Sequence, residues 1–320
     1  MIGYKGRVGV IGATSIVGEY LLSLLVEEGW DVVAFSHRES QIKAVGDNSV
    51  VWRLLTGFKS TEVDYFDQRK EQINLWISLA PISVLSEYFS MLLTYVARHI
   101  VAVSSTSRFT KSESSDQDEK ILAQTLAENE ERLKSWATKE KLTFTILRPT
   151  LVYGLGRDKN VSAMASFIRR FSFFPVFGAA RGLRQPVHAK DVASCCVAAL
   201  SSDAAINQCY NISGGETISY REMVCRIFTA LGKKPHFVVF PLWWFRLAVL
   251  FLRVFPRYHH WSAAMAERMN QDLVFSHEEA SRDLGFKPRP FRLTKEDLPR
   301  LYSNTLEVIA KVLRLSFRTK

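Results

Sequence analysis

The sequence predicts an α/β protein: a Rossmann-like doubly wound parallel sheet followed by a smaller C-terminal α+β lobe. Three observations predict it. Short apolar runs alternate with helical patterns through the first half of the chain. A glycine turn joins the first run to the first helix. The regular alternation then lapses after Arg148-Pro149. Strands that alternate with helices pair in parallel through right-handed crossovers, which gives the sheet its winding.

The elements follow in order. Arg7–Ile11 is a buried strand, and Gly18–Glu28 repeats apolar residues at helical spacing. Asp31–Phe35 reads as the second strand. Leu75–Leu79, Ile100–Val103 and Phe144–Leu147 are the later ones, separated by helical stretches at Ser83–Arg98 and Lys120–Glu140. The polar run at residues 110–119 predicts an exposed, mobile loop. Beyond it, Val192–Leu200 and Tyr220–Leu231 read as helices. The expected division is a dinucleotide-binding domain at 1–155 and a mainly substrate-binding lobe at 156–320, with the Val192–Leu200 helix and a neighbouring strand returning to the first domain. A ligand crevice at the carboxyl ends of the strands follows from such a sheet.

Composition narrows the function. The chain of 320 residues is 47% apolar and 23% charged, a globular balance without repeats or low-complexity tracts. Its start lacks an apolar signal region, so the expectation is a cytoplasmic protein. The four cysteines, two of them adjacent at Cys195 and Cys196, show no metal-ligand spacing, and no metal is expected. Net charge is +10 and uneven. Residues 1–150 hold 17 Lys and Arg against 19 Asp and Glu, and residues 151–320 hold 25 against 13. A basic second half suits phosphorylated ligands or an anionic membrane face. No helix-turn-helix, zinc-finger or RNA-binding signature supports nucleic acid.

The strongest local signal is Gly12-Ala13-Thr14-Ser15-Ile16-Val17-Gly18, set between strand and helix. Gly12 permits the tight turn out of the strand, and Gly18 permits close packing of helix on sheet. N–H groups at Thr14, Ser15, Ile16 and Val17 then face a pyrophosphate at a helix N-terminus. Ser15 stands at the middle position, where glycine is usual, and its hydroxyl can join the phosphate contact. At the end of the second strand, Ser36-His37-Arg38 carries no carboxylate for the ribose hydroxyls of NAD(H), while Ser36 and Arg38 suit a 2′-phosphate. NADP(H) is therefore favoured over NAD(H), with a solvated Arg38 as the plain alternative.

Further motifs stand in one order: Ile77-Ser78-Leu79-Ala80-Pro81, Val103-Ser104-Ser105-Thr106-Ser107, Ile146-Leu147-Arg148-Pro149-Thr150-Leu151-Val152-Tyr153-Gly154, Arg184-Gln185-Pro186-Val187-His188, Tyr210-Asn211-Ile212-Ser213-Gly214-Gly215 and Asp283-Leu284-Gly285-Phe286. With the glycine turn they resemble the extended branch of the short-chain dehydrogenase/reductase superfamily, the NAD-dependent epimerase/dehydratase-like proteins. The resemblance implies cofactor contacts at Leu79, Ala80, Pro81, Ser104 and Pro149. It departs from the family at the catalytic pair. Where the family has Tyr-x-x-x-Lys, this chain has Leu122 and Leu126, and no tyrosine anywhere is followed four residues later by lysine. Leucine has no ionisable proton, so the usual phenolate chemistry is absent. Ser105, Thr106 and Tyr153 are the remaining candidates for catalysis, each equally readable as a hydrogen-bonding residue only.

The resemblance also implies a sugar-diphosphate ligand held by Arg184, a looser match at Arg268, and Asn160. The plain alternative makes Arg184 an ion-pair partner of Asp191 and Arg268 a surface residue. Residues 241–257 are apolar and aromatic, but Arg246 and Arg253 interrupt them below the ~20 residues of a membrane span. They suit either a helix lying in an anionic membrane interface or a buried helix with arginines at the site. The functional expectation is an NADP(H)-binding protein acting by hydride transfer on a nucleotide-linked or polyprenyl-linked diphosphate sugar, in polysaccharide precursor metabolism, cytoplasmic or peripheral at the inner membrane face. The alternative is a catalytically silent NADP(H)-binding assembly or sensor protein, like relatives that lack the motif. An oligomer remains open.

Overall fold

The computed structural model describes residues 5–37, 49–55, 72–241 and 267–299. Arg38 and residues 242–257, both singled out above, lie outside the described residues. Strands β1 (Gly6–Ile11), β2 (Trp30–Ser36), β3 (Val50–Leu54), β4 (Leu75–Ser78), β5 (His99–Val103) and β6 (Thr143–Pro149) follow in chain order. Short strands β7 (Val152–Tyr153), β8 (Phe174–Phe177), β9 (Leu183–Arg184) and β10 (Val187–His188) come next. Then β11 (Gln208–Ile212), β12 (Ile218–Ser219) and β13 (Phe237–Phe240) complete the set.

Seven strands form one sheet in the order β11-β6-β5-β4-β1-β2-β3, every neighbour parallel. This is the expected doubly wound sheet, with its order reversing between β1 and β4. Parallel strands covered on both faces read as continuous apolar runs, and Val8, Val10, Val32, Ala34 and Ile77 are at most 1% exposed.

Helices α1 (Ile16–Glu27), α2 (Ile82–Leu85), α3 (Phe89–Thr94), α4 (Ser107–Thr110), α5 (Gln117–Lys139), α6 (Val161–Phe171), α7 (Ala189–Ser201), α8 (Tyr220–Ala230) and α9 (Glu278–Leu284) complete the described elements. On one face of the sheet, Leu21 and Leu25 of α1 and Val192, Cys196 and Leu200 of α7 share a core with β1 and β2. On the other, Tyr88, Met91, Leu133 and Ala137 pack under Trp76, Ile100 and Ile146. A third core, around Tyr153, Phe167, Met223 and Phe228, belongs to the second lobe.

Two expectations are corrected. The helix over Ser83–Arg98 is broken into α2, a 3₁₀ turn at Ser86–Tyr88 and α3, and it stops early. Val96 takes φ 61° and the Ala97 N–H reaches back to Leu92 O at 3.0 Å, a left-handed C-terminal cap. The loop over 110–119 is shorter than expected: residues 111–116 are irregular, but α5 begins at Gln117, Asp116 caps it by accepting the Glu119 N–H at 3.2 Å, and Asp116 and Glu119 are buried. None of the described helices is long and apolar enough to cross a membrane.

Candidate functional site

The reversal between β1 and β4 opens a crevice beyond the paired ends Ile11 and Ser78. There the Leu79 N–H donates to Ile11 O at 2.8 Å, binding the two strand exits together. Gly12 turns at φ +75°, and a Cβ on it would stand 2.7 Å from Ala80 N. Gly18 lies so close under the turn that its Cβ would meet Ala13 O at 2.2 Å. Glycine is the residue both positions admit. Ser15 caps α1 by accepting the Gly18 N–H at 3.1 Å, so its own hydroxyl proton stays free to donate. The N–H groups of Ile16 and Val17 lie in the first helical turn and have no intrahelical acceptor. Gly12 through Gly18 thus meets Leu79 and Ala80 in one cradle suited to a pyrophosphate, which a side chain at Gly12 would fill.

At the end of β2, Ser36 is buried and its carbonyl accepts the Leu55 N–H at 2.8 Å. His37 Nδ1 lies 3.2 Å from Leu55 O, which can only accept, so that nitrogen carries the proton. Nε2 then accepts from the Tyr88 hydroxyl. Both ring nitrogens are engaged by protein groups.

The third wall comes from β5, β6 and α5. Ser104 N–H donates to Leu147 O at 2.8 Å, and Thr106 N–H to Pro149 O at 3.1 Å. The side-chain hydroxyls of this wall are hydrogen-bonded as well. Ser104 Oγ donates to Glu130 Oε1 at 2.6 Å, Thr106 Oγ1 donates to Pro149 O at 3.3 Å, and Ser105 Oγ accepts the Ser107 N–H at 3.1 Å. Leu122, Leu126 and Glu130 are spaced by one helical turn each along α5. Leu126 packs against the sheet core, and Glu130 is fully buried.

Glu130 holds the wall together. Arg148 Nε donates to its two oxygens at 3.1 and 3.0 Å, Arg148 Nη2 adds 2.6 Å, and Arg108 Nη1 also bonds it. Burial alone would push its carboxyl up, but the bonds from Arg148 and Ser104 and the two guanidinium charges hold it below its ordinary value. Phe109 is an exposed ring with Arg148 and Arg108 over it at 5.3 and 5.6 Å.

Tyr153 is 0% exposed, edge-on to His188 and Phe291 at 5.1 and 4.9 Å between ring centres. Burial, with Asp297 and Asp191 nearby, pushes its phenol up. His188 Nδ1 accepts the Lys190 N–H at 3.0 Å, leaving Nε2 to donate to Asp297 at 3.1 Å.

In the second lobe the two arginines come together. Arg184 donates through Nη1 to Leu183 O and Gln271 O, both at 2.7 Å, and through Nη2 to the Arg268 carbonyl. It lies 5.5 Å over the Tyr220 ring, whose hydroxyl points at Met164 of α6. Asn160 precedes that helix, its N–H on Asp158 Oδ1 at 2.8 Å. Neither plain alternative holds: Asp191 pairs with Arg289 at 2.8 Å, and Arg268 is turned inward against Glu119. Glu119, Lys111, Glu130 and Arg108 were not singled out in the sequence, and Arg148 stood there only inside a longer motif. Of the first four, only Glu130 left a trace, the one-turn spacing from Leu126.

Residues 91–213 match the family model described as NAD dependent epimerase/dehydratase family, bearing out the resemblance. A UDP-glucose 4-epimerase of Vibrio cholerae is 25% identical over 162 residues, 51% of this chain and 47% of that protein. The mitochondrial NADH dehydrogenase [ubiquinone] 1 alpha subcomplex subunit 9 of Dictyostelium discoideum is 24% identical over 229 residues, 67% of this chain and 61% of that protein. Each match thus spans less than two thirds of the relative's length. Among solved structures, a UDP-glucuronic acid 4-epimerase from Bacillus cereus, in complex with UDP-glucuronic acid and NAD, has a TM-score of 0.67 at 15% identity. It is covered over 100% of its chain and 97% of this one. A UDP-glucose 4-epimerase from Thermotoga maritima, with UDP-glucose, has a TM-score of 0.64 at 15% identity, covering 97% of its chain and 96% of this one. These likenesses establish the fold.

Proposed function

From a chain that carries the NAD dependent epimerase/dehydratase family domain over residues 91–213, we propose a protein that binds a nicotinamide dinucleotide but lacks the proton relay of epimerase turnover. It serves as an NADP(H)-holding assembly or sensor protein. The Gly12–Gly18 turn would hold the dinucleotide's pyrophosphate, and Ser104 and Pro149 would contact its nicotinamide end. No carboxylate stands at Ser36, His37 or Arg38, the first after the strand being Glu39, which supports NADP(H) over NAD(H).

The observation that carries the reading is the face of α5 that bears Leu122 and Leu126. Hydride transfer to or from a sugar carbon needs a partner that gives or takes the hydroxyl proton, typically worth ~10²–10⁴-fold in rate. Two leucines supply none. Thr106 Oγ1 commits its proton to Pro149 O, and Tyr153 is sealed from solvent with a raised phenol pKa. A bound nicotinamide would supply hydride chemistry, and these residues would hold it without moving a proton.

A second reading keeps turnover, as an epimerase or reductase of a nucleotide-linked or lipid-linked diphosphate sugar with Ser105, Thr106 or Tyr153 in a non-standard role. The nearness of the Arg184 guanidinium to the Arg268 main chain favours it, since guanidiniums suit a diphosphate. The two separate on one experiment. The purified full chain is loaded with NADPH or NADP⁺ and given a panel of nucleotide sugars, with nicotinamide absorbance and epimer products followed over hours. The expected result is bound coenzyme and less than one turnover with every sugar. Multiple turnovers with any sugar would establish the second reading instead.

A further inference from the structure

Two helices of the second lobe end side by side, and the turns that end them carry cations and phenylalanines. α6 closes at Ser172, which takes the left-handed conformation at φ 61° and donates its N–H to Ile168 O at 2.8 Å. α8 closes at Gly232, φ +68°, after which the Lys233 N–H reaches back to Phe228 O at 2.9 Å. Lys233 ties the two turns together, its Nζ donating to Ser172 Oγ at 2.7 Å and to Arg169 O at 3.1 Å. Where the chain leaves the turns for β8 and β13, the Phe174 N–H donates to His236 O at 2.9 Å and continues the join.

Cations at helix C-termini answer the helix dipole, and that alone accounts for Arg169 and Lys233, which bond main-chain and hydroxyl oxygens. It does not account for the rest of the tip. Arg170 and Lys234 are exposed and form no ion pair among the described residues. Phe171 and Phe173 rest on Phe167, at 4.7 and 5.5 Å between ring centres, yet each remains partly exposed. The exposed His236 ring lies 6.4 Å from Phe173. No acid of these segments offsets the charge: the sequence holds none between Asp158 and Asp191, and none between Glu222 and Glu267. Glu222 itself is bonded to Arg226, as is Glu216. A surface meant only for water interleaves both signs and hides its rings.

We propose that this paired tip, Arg170, Phe171 and Phe173 on one turn with Lys234 and His236 on the other, docks the chain on an anionic lipid surface. The two phenylalanines enter the boundary between headgroups and acyl chains, while Arg170 and Lys234 stay among the lipid phosphates. The charge complementarity selects this occupant over an apolar protein face, which the cations would oppose. It is favoured over a nucleic acid because two open cations make no track for a phosphodiester chain. The surface uses none of residues 241–257, and it stands or falls separately from the dinucleotide crevice.

The test is flotation of the full chain, without coenzyme, on vesicles of phosphatidylcholine alone or mixed with phosphatidylglycerol. Any chain of net charge +10 is drawn to anionic surfaces, so matched charge reversals locate the contact. Arg170→Glu/Lys234→Glu at the tip is compared with Lys120→Glu/Lys139→Glu on the exposed side of α5, an equal change in net charge. Wild type is expected to float with the anionic vesicles only. The tip reversal should weaken that binding about tenfold or more, and the α5 reversal about threefold or less. Phe171→Ser/Phe173→Ser keeps every charge and should also weaken it about tenfold, because insertion is lost while attraction remains. Should that variant fail to fold, as urea denaturation would show, the two reversals decide. The proposal is overturned by no binding of wild type, by equal losses from the two reversals, or by undiminished binding of a folded Phe171→Ser/Phe173→Ser. Tighter binding of a single-stranded RNA oligonucleotide than of the anionic vesicles also overturns it.

Discussion

At Gly12 the backbone φ of +75° and the nearness of Ala80 N, 2.7 Å from any Cβ, leave no room for a side chain. Gly12→Ala is expected to cost ~1–2 kcal/mol from the left-handed backbone alone and more from the clash. NADPH binding should fall with it, since the turn would shift away from Leu79 and Ala80. Gly18→Ala meets Ala13 O instead, an overpacking that typically costs ~1–3 kcal/mol. Urea denaturation of each variant against wild type checks both figures. Such positions are legible in a sequence because the constraint is local: a strand, a turn and a helix within a few residues dictate glycine. The fates of Arg184 and Arg268 were not legible in that way. Their acceptors, among them Gln271 O and Glu119, come from distant parts of the chain, and only the folded structure turns both guanidiniums inward.

Among the elements, α5 carries most of the argument. It carries Leu122 and Leu126 where the resemblance implies the catalytic pair, and one turn on it fixes Glu130 against Arg148, Arg108 and Ser104. Removing one member of a buried ion pair strands the other charge, so Glu130→Gln should cost ~3–5 kcal/mol at pH 7. The pH dependence has a definite sign. Glu130 is held below its ordinary value in the fold, so its contribution is complete above the usual carboxylate range near ~4.3 and is lost as pH falls through the lower folded value. Denaturation curves from pH 7 to pH 3 should show wild type losing more stability in acid than Glu130→Gln. The main strands were legible because both faces are covered and the runs are continuously apolar. β3 was missed: Val51 and Leu54 on this edge strand are exposed, so Val-Val-Trp-Arg-Leu lacks the pattern of its neighbours. The end of the segment at 110–119 was misread for the opposite reason. Its composition is that of a loop, yet Asp116 and Glu119 are buried by a helix cap and by Arg268.

Across the whole molecule, the sheet and the second lobe are joined where α7, sequence-distant from α1, packs beside it on one face, and where Asp191 and Asp297 hold Arg289 and His188. The crevice at the sheet reversal therefore lies in a framework fixed from both halves of the chain. A ligand that binds only this folded state stabilises it by mass action, ~2.7 kcal/mol at a hundredfold excess over Kd. The most direct measurement is calorimetric titration of the full chain with NADPH and with NADH, wild type beside Gly12→Val. The account predicts saturable one-to-one uptake by wild type, tighter for NADPH, and none by Gly12→Val. No uptake of either coenzyme by wild type, or undiminished uptake by Gly12→Val, would contradict it.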